Sequence, residues 1–431
     1  MKKNLLIQII IAFILGLVVG IILWISKVDV SGYVKWVSPF GNILVSMLKM
    51  IVVPVIFFSL ISGSASLPTG DFGKIGLKVI IWYFVTSLFA AIIGTLLASV
   101  FNPGSGTSIQ AWDALAANSD VKVAAVTTTA GGAIIDIIVG MFENPFASLA
   151  NGDFLAIIVF SITIGLALKI IYDNPKSTPE YRKKIENLFD LIEVIKDAIF
   201  KMVDWILAYS PIGVFALTSS NFANYGSALF GPYVKLTIGV VCGVFTLILL
   251  VYPLMIFVTT RTNPYPVLNS IKDASLTAFV TRSSAATLPV SLKVADDKLH
   301  VDPALSSFAL PLGATINMDG VCVHLPFFAI LAANMFGITL GVPQLFILVL
   351  TTVLASIGTG GVPGGSLMLL FIILQNMGLS TSQTAVIVGL ALGINPILDM
   401  FETMNNVTGD LVCTYAVGKK SNLIDSEKKD N

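Results

Sequence analysis

Apolar residues run along this chain in long, nearly unbroken stretches, without the tight alternation of apolar and polar positions that marks a water-facing domain. A bilayer asks for roughly 20 consecutive apolar residues per helix. Stretches of that kind fall at about 4–26, 40–64, 77–101, 131–172 with a break, 189–218 and 232–259, and each predicts a membrane-crossing helix. After residue 260 the pattern changes. The apolar runs are interrupted by "TRSSAATLPVS" at 281–291 and by "GTGGVPGG" at 358–365. Backbone groups freed by Gly, Ser and Pro must find partners inside the bilayer, so such breaks persist only where protein buries them or a wet cavity meets them. Each is followed by a polar helix, "ATINMDG" at 314–320 after the first and "DMFETMNNVTGD" at 399–410 after the second. Close packing of small residues explains one break. Two breaks with the same polar sequel predict paired broken hairpins around a midplane binding site.

Composition agrees with a chain dissolved in lipid. Of 431 residues 55% are hydrophobic and 12% charged, and the formal net charge is +0, so no basic field argues for nucleic acid. Cys242, Cys322 and Cys413 stand in apolar segments without metal-ligand spacing and are expected as buried small hydrophobes.

Charge sets the orientation. One set of alternating connections holds Lys74, Lys78, Lys169, Lys176, Arg182, Lys183, Lys184 and Arg261, while the opposite set holds only Lys27, Lys35 and Lys122. The positive-inside bias, with Lys2 and Lys3 at the start and Lys419, Lys420, Lys428 and Lys429 at the end, places both termini in the cytoplasm. The first span is expected to be retained, because no small-residue cleavage site follows it. The run "EYRKKIEN" reads as a solvated inner loop, and about 102–129 as a long outer loop.

These motifs resemble the glutamate transporter family of dicarboxylate/amino acid:cation symporters, from the first helix to Lys420. "TRSSAATLP" is similar to the tip of that family's first hairpin, "NMDG" to its unwound seventh helix, "GTGGVPGG" to its second hairpin and "NNVTGD" to its eighth helix. The resemblance implies an all-α polytopic membrane protein with eight transmembrane helices and two re-entrant helical hairpins, working as an elevator-type transporter in a homotrimer. It assigns 1–75 and 131–225 to a scaffold, 76–130 and 226–420 to a transport domain and its outer loop, and 421–431 to a cytoplasmic tail.

Sodium wants several hard oxygens converging where a helix is unwound. The resemblance places one sodium site at Tyr83, Thr86, Ser87, Asn317 and Asp319, another at Asn406 and Asp410, and a third at Met318 with backbone oxygens, with Gly313 and Ser356 among the ligands. A buried, unpaired Asp319 would be costly, so a cation or a proton must accompany it. Hydroxyls at Thr86 and Ser87 complete an oxygen cage but add nothing to a protonated acid, which favours Na+.

The same resemblance gives the substrate contacts as Arg282, Ser283, Ser284, Val321, His324, Val362, Gly364, Asp399, Glu402, Thr403 and Asn406, with Asp399 receiving an α-amine, and Asn406 and Ser284 an α-carboxylate. The departures lie at the side-chain end. Carriers of acidic amino acids have an arginine where this chain has Glu402, a threonine at Val321, a tyrosine at His324 and an acid at Asn395. Without the arginine fork, and with two carboxylates one helical turn apart, the first expectation is a cationic amino acid such as arginine, lysine or ornithine. The alternative is a neutral or acidic amino acid or dicarboxylate, with Arg282 reaching over to neutralise Glu402.

Other classes fit less well. A channel needs selectivity groups ringed around an axis, and an enzyme a nucleophile beside a base, whereas Ser283 and Ser284 have only His300 and His324 to call on and no GxSxG elbow. The expected partners are an amino acid, sodium ions and the lipid bilayer, with no nucleic acid. The expected location is a prokaryotic inner membrane.

Overall fold

A computed structural model of the chain describes residues 3–65, 73–105, 139–151, 153–357, 361 and 364–424. Helices account for nearly all of it, and the β-pairing among these residues is a single isolated bridge between Val301 and Ile424. In chain order the elements are α1 (Lys3–Ile25), α2 (Ser31–Ala65), α3 (Gly73–Phe101), α4 (Pro145–Asn151), α5 (Phe154–Asp173), α6 (Pro179–Tyr225) and α7 (Phe230–Thr246). A π-helical turn, Leu247–Val251, joins α7 to α8 (Tyr252–Thr260). The rest is α9 (Pro264–Thr281), α10 (Ser284–Asp297), α11 (Pro303–Ile316), α12 (Asp319–Phe336), α13 (Val342–Ser356), α14 (Gly365–Asn376) and α15 (Thr381–Lys420).

Among the described residues eight helical segments are long and apolar enough to cross a membrane. They include the six stretches legible in the sequence, together with 303–336, which is α11 running into α12, and 383–420, which is α15. Burial separates the two kinds. The most apolar window of 303–336 is 94% buried, against 22% for the first helix, so the polar "NMDG" stretch sits inside protein and the early helices turn their apolar faces outward. Helices α9, α10, α13 and α14 have 12 to 18 residues and form two helix–break–helix pairs, α9 with α10 and α13 with α14.

Local chemistry sets the boundaries. Asn263 and Asp302 cap α9 and α11 from the position before a proline, and each side chain accepts a backbone N–H. Ser380 and Gln383 form a reciprocal capping box at the start of α15. Asp29 caps α2, accepting from both the N–H and the hydroxyl of Ser31 at 2.9 Å, and these bonds hold its carboxyl below the usual range.

Two expectations change. "EYRKKIEN" is the first turns of α6 and not a loop: Thr178 accepts from Tyr181 N, Pro179 opens the helix, and Glu180–Lys184 and Lys183–Glu186 pair at 3.0 and 3.1 Å along its surface. Cys242 is exposed on the outside of α7, whereas Cys322 and Cys413 are buried as expected. The outer loop anticipated at about 102–129 lies, from residue 106 on, outside the described residues, as does the beginning of the 131–172 stretch.

The helices pack in two groups. α1 and α2 run along α6, and α2 also along α5. α3 lies on α12 and α13, α9 on α10 and α15, and α15 touches most of this second group. α14 and α15 meet the first group along α2 and α6. A crevice of about 1090 Å³ opens between them, lined by Asn42, Lys49, Asn221, Gln375 and Thr384 among others.

Candidate functional site

The site is built where four helix ends and the middle of α15 converge. α9 stops at Thr281 because Arg282 takes up a left-handed backbone, φ 55°, while its N–H still bonds Ala278 O at 2.9 Å. A side chain in that region costs roughly 1–2 kcal/mol, and here it aims the guanidinium inward. Ser283 then caps α10, its Oγ accepting from Ala286 N at 3.1 Å. The Ser283 hydroxyl donates to Gly361 O at 3.0 Å, and the Ala285 N–H donates to the same oxygen at 3.4 Å. The tips of the two helix pairs therefore touch. Gly361 has φ 65°, and a Cβ there would lie 2.2 Å from Ala314 O, so only glycine lets the second tip approach α11 this closely. Val362 lies outside the described residues.

Beneath the tips is a cavity of about 10 Å³, lined by Ser284, Met318, Val321, Gly361, Ser366, Asp399, Glu402, Thr403 and Asn406. Arg282 donates to Asp399 Oδ2 through Nε at 2.9 Å and Nη2 at 2.8 Å, and the Gly364 N–H reaches the same oxygen at 3.1 Å. Asp399 also lines the cavity. Arg282 and Asp399 are each 4% exposed. Removing either partner would strand a buried charge, at about 3–5 kcal/mol. Arg282 Nη1 and Ser284 Oγ, both buried, have no hydrogen-bond partner among the described residues.

One turn further along α15, Glu402 meets the Nδ1 side of His324 from α12, and the pair is buried with 1% exposure on each residue. The Phe328 ring stands behind the imidazole, 4.7 Å between centroids. Thr403 Oγ1 donates to Asp399 O at 2.8 Å, tying the helix backbone rather than the cavity. Ser366, at the start of α14, donates to Asn395 Oδ1 at 3.3 Å.

The second cluster surrounds the break between α11 and α12, where Asn317 and Met318 leave helical geometry. Asp319 opens α12. Its Oδ1 accepts from Ser87 Oγ at 2.8 Å and its Oδ2 from Tyr252 OH at 2.8 Å. Thr86 donates to Asn317 Oδ1 at 3.2 Å, and Asn317 Nδ2 donates to Asp410 Oδ1 at 2.9 Å, which joins the two sodium-type groups expected from the sequence into one chain of contacts. Asn406 accepts from Gly320 N at 2.7 Å and donates to Met318 Sδ at 3.2 Å. Tyr83 OH is committed to Ala309 O at 2.8 Å, and Ser356 Oγ donates to Val353 O at 2.8 Å. At Gly313 a Cβ would fall 2.5 Å from Asp410 Oδ1 and 2.6 Å from Tyr83 OH, so the backbone of α11 comes close to both only because that position is glycine. Among the described residues no three His, Cys, Asp or Glu side chains converge as metal ligands. The oxygens gathered here come mainly from carboxylates, amides and hydroxyls, a donor set for a hard monovalent cation.

Sequence reasoning did not single out Tyr252, Ser366, Gly320 or Gly361. The Tyr–Pro pair inside the 232–259 run was the one available signal for Tyr252. The π turn just before it is a feature frequent at functional sites.

The chain matches the sodium:dicarboxylate symporter family over residues 5–420. It is 30% identical over 427 residues to the proton/glutamate-aspartate symporter of Escherichia coli, covering 98% of this chain and 94% of that protein. It is also 30% identical over 431 residues to the proton/sodium-glutamate symport protein of Bacillus caldotenax, covering 98% and 95%. The serine/threonine transporter SstT of Bifidobacterium adolescentis is 28% identical over 405 residues, 94% of this chain and 88% of that protein.

The expectation of a cationic substrate is corrected by these relatives, which are named for glutamate, aspartate, serine or threonine and not for a basic amino acid. The physical reason is visible in the site. Both carboxylates thought to await two positive groups already have a neighbour from another helix, Asp399 the guanidinium of Arg282 and Glu402 the imidazole of His324, and among the described residues Arg282 pairs with Asp399 and not with Glu402 as the alternative had it. Helices that bury their polar stripe, broken segments that meet over a closed cavity, and similarity along nearly the whole length lead to one conclusion: the chain belongs to the sodium:dicarboxylate symporter family, and it is a membrane transporter, not an enzyme.

Proposed function

We propose that this protein carries a neutral or acidic amino acid across the membrane together with sodium. The observation that carries the reading is the knot of Asp319, Asn317, Asp410, Thr86 and Ser87 at the α11–α12 break, directly beside the cavity under the two tips. A cation there offsets buried carboxylates, and the same backbone break supports the cavity wall through Met318 and Asn406. Binding of one therefore favours binding of the other. Tyr83, Gly313 and Ser356 complete the surroundings of the ion.

The amino acid's amine goes to the carboxylate of Asp399, which lines the cavity. Its carboxylate goes to Ser284 Oγ, Asn406 and the unpartnered Arg282 Nη1. A volume of about 10 Å³ accommodates no more than about one water, so Ser283 and Gly361 must part before an amino acid enters. The two tips are thus the gates, with Gly361 and Gly364 on the second.

Residues 1–75 and 131–225 form the scaffold in this reading, and 76–130 with 226–420 the body that moves against it, 421–431 being a tail. Assembly as a homotrimer through the scaffold, an inner-membrane location and cytoplasmic termini belong to the same proposal. The test is the purified protein in liposomes, given a sodium gradient and labelled aspartate, glutamate, serine, threonine, alanine, arginine and lysine. Accumulation of a neutral or acidic amino acid above equilibrium, abolished without sodium, is expected. Undiminished uptake in sodium-free buffer driven by a proton gradient would sink sodium coupling.

A further inference from the structure

After Lys420, where α15 stops, the chain turns back on itself. The Ser421 N–H still bonds Val417 O at 2.9 Å, Asn422 takes a left-handed backbone, φ 56°, and the Leu423 N–H returns to Gly418 O at 2.8 Å. Leu423 and Ile424 then lie along the connection between α10 and α11. The Asp302 N–H donates to Leu423 O at 2.8 Å, and Ile424 forms the antiparallel bridge with Val301, which is 1% exposed. A Cβ on Gly418 would fall 3.3 Å from Leu305 Cδ2, so α11 starts directly against this turn. From the other side Lys78 of α3 donates to Ser421 Oγ at 3.2 Å.

Four residues thus reach three helices, and the same three carry the ion cluster a few turns further on. Thr86 and Ser87 stand on α3, Asn317 just past the end of α11, and Asp410 on α15. α11 has 14 residues and is about 21 Å long. It is tied to α15 at both ends, by Asp302 to Leu423 at one and by Asn317 to Asp410, 2.9 Å, at the other. Resting on the sodium symport proposed above, we infer that residues 421–424 are a clasp that positions the sodium site. They touch no ion. A helix tied at one end can pivot, whereas one tied at both keeps its register, so the clasp holds Asn317 against Asp410 and brings the hydroxyls of α3 to them. Coupling is reciprocal, so sodium at one end of α11 must tighten the clasp at the other.

The test uses the full chain in detergent, with amide hydrogen exchange read by mass spectrometry in sodium and in potassium at equal ionic strength. Peptides over 313–320 and 406–412 report the ion cluster, and peptides over 299–305 and 418–424 the clasp. Exchange is expected to slow in sodium at both, at the clasp by at least about threefold. Slowing at the cluster with none at the clasp overturns the inference and leaves sodium coupling standing. No slowing at the cluster overturns the sodium reading itself, and this inference with it. Two shortened chains add a second readout. Ending the chain at Ile424 keeps the clasp and is expected to leave the sodium concentration for half-maximal uptake unchanged. Ending it at Lys420 raises that concentration at least about threefold, with substrate affinity at saturating sodium little changed. Ser380→Ala, at the opposite end of α15, controls for lost stability alone and leaves the sodium concentration where it was. An equal sodium requirement in both shortened chains overturns the clasp. Should the shorter chain not fold, exchange in the full chain decides alone.

Discussion

Asp319 is held by hydroxyls that arrive from two different helices, Ser87 on α3 and Tyr252 at the start of α8, and both bonds are 2.8 Å. With Tyr252 fixing Oδ2, Oδ1 is oriented toward α3 and the hydroxyls of Thr86 and Ser87. Tyr252→Phe keeps the packing and removes that bond. A hydrogen bond to a charged group is worth about 1.5–3 kcal/mol. If half of it is felt at the ion, the sodium concentration for half-maximal uptake rises roughly three- to tenfold, with the substrate's own affinity at saturating sodium little changed. A sodium titration of uptake at fixed substrate measures it. Asp319→Asn is expected to weaken sodium dependence and substrate binding together, because both ligands stabilise the same closed arrangement; binding measured calorimetrically at several sodium concentrations would expose a variant in which they separate. Asp319, Asn317, Asp410 and Asp399 stood out as candidates because polar residues are rare in an apolar chain, while the roles expected of them came from the resemblance of their motifs to a known family. The partner of Glu402 was not legible. Arg282 and His324 are 120 and 78 positions away, and only the folded chain shows which of them reaches which acid.

At the scale of elements, helix ends do the positioning. The break after Thr281 works because Arg282 is left-handed and Ser283 immediately caps the next helix, so two residues turn the chain and deliver a guanidinium to Asp399. α15 carries Asp399, Glu402, Asn406 and Asp410 on one stripe, and its entry is set by the Ser380–Gln383 capping box. Ser380→Ala removes one arm of that box at a cost of about 1 kcal/mol. The expected result is a fall of no more than a few degrees in the thermal midpoint, read by fluorescence in detergent, with sodium-driven uptake retained. A loss of uptake without loss of stability would mean that this end of α15 takes part in the transport cycle. The broken segments were recognisable from Gly, Ser and Pro inside apolar runs. The extent of α6 was not, because its first turns are charged and read as loop until their pairs along the helix surface are seen.

Across the whole molecule, the two packing groups meet where an elevator would have to slide. α2 of the first touches α11 of the second: a Cβ built on Gly63 falls 3.6 Å from Thr315 Cγ2. Side chains at these two positions are therefore in contact, which makes them the pair to test by cross-linking. Gly63→Cys combined with Thr315→Cys, with exposed Cys242 replaced, is expected to cross-link on oxidation, to lose nearly all sodium-driven uptake, and to regain it on reduction. Full uptake by a fully cross-linked protein, scored by a mass shift after proteolysis, would show that α2 and α11 keep their relative position during transport.

Hydrophobic pattern, loop charge and rare polar residues belong to the sequence by itself, because the bilayer imposes one rule on every spanning segment: apolar outside and backbone paired within. They were enough for membrane-crossing helices and the two broken segments, while the candidate site residues came from motifs that resemble a known family. Which charges neutralise each other was decided only by the tertiary structure. In a buried site the net charge of a pocket depends on pairs brought together from distant helices, Arg282 with Asp399 and His324 with Glu402, and a list of side chains along one stripe does not contain that information. The stripe alone suggested two acids waiting for a cation; the folded chain had already supplied their partners.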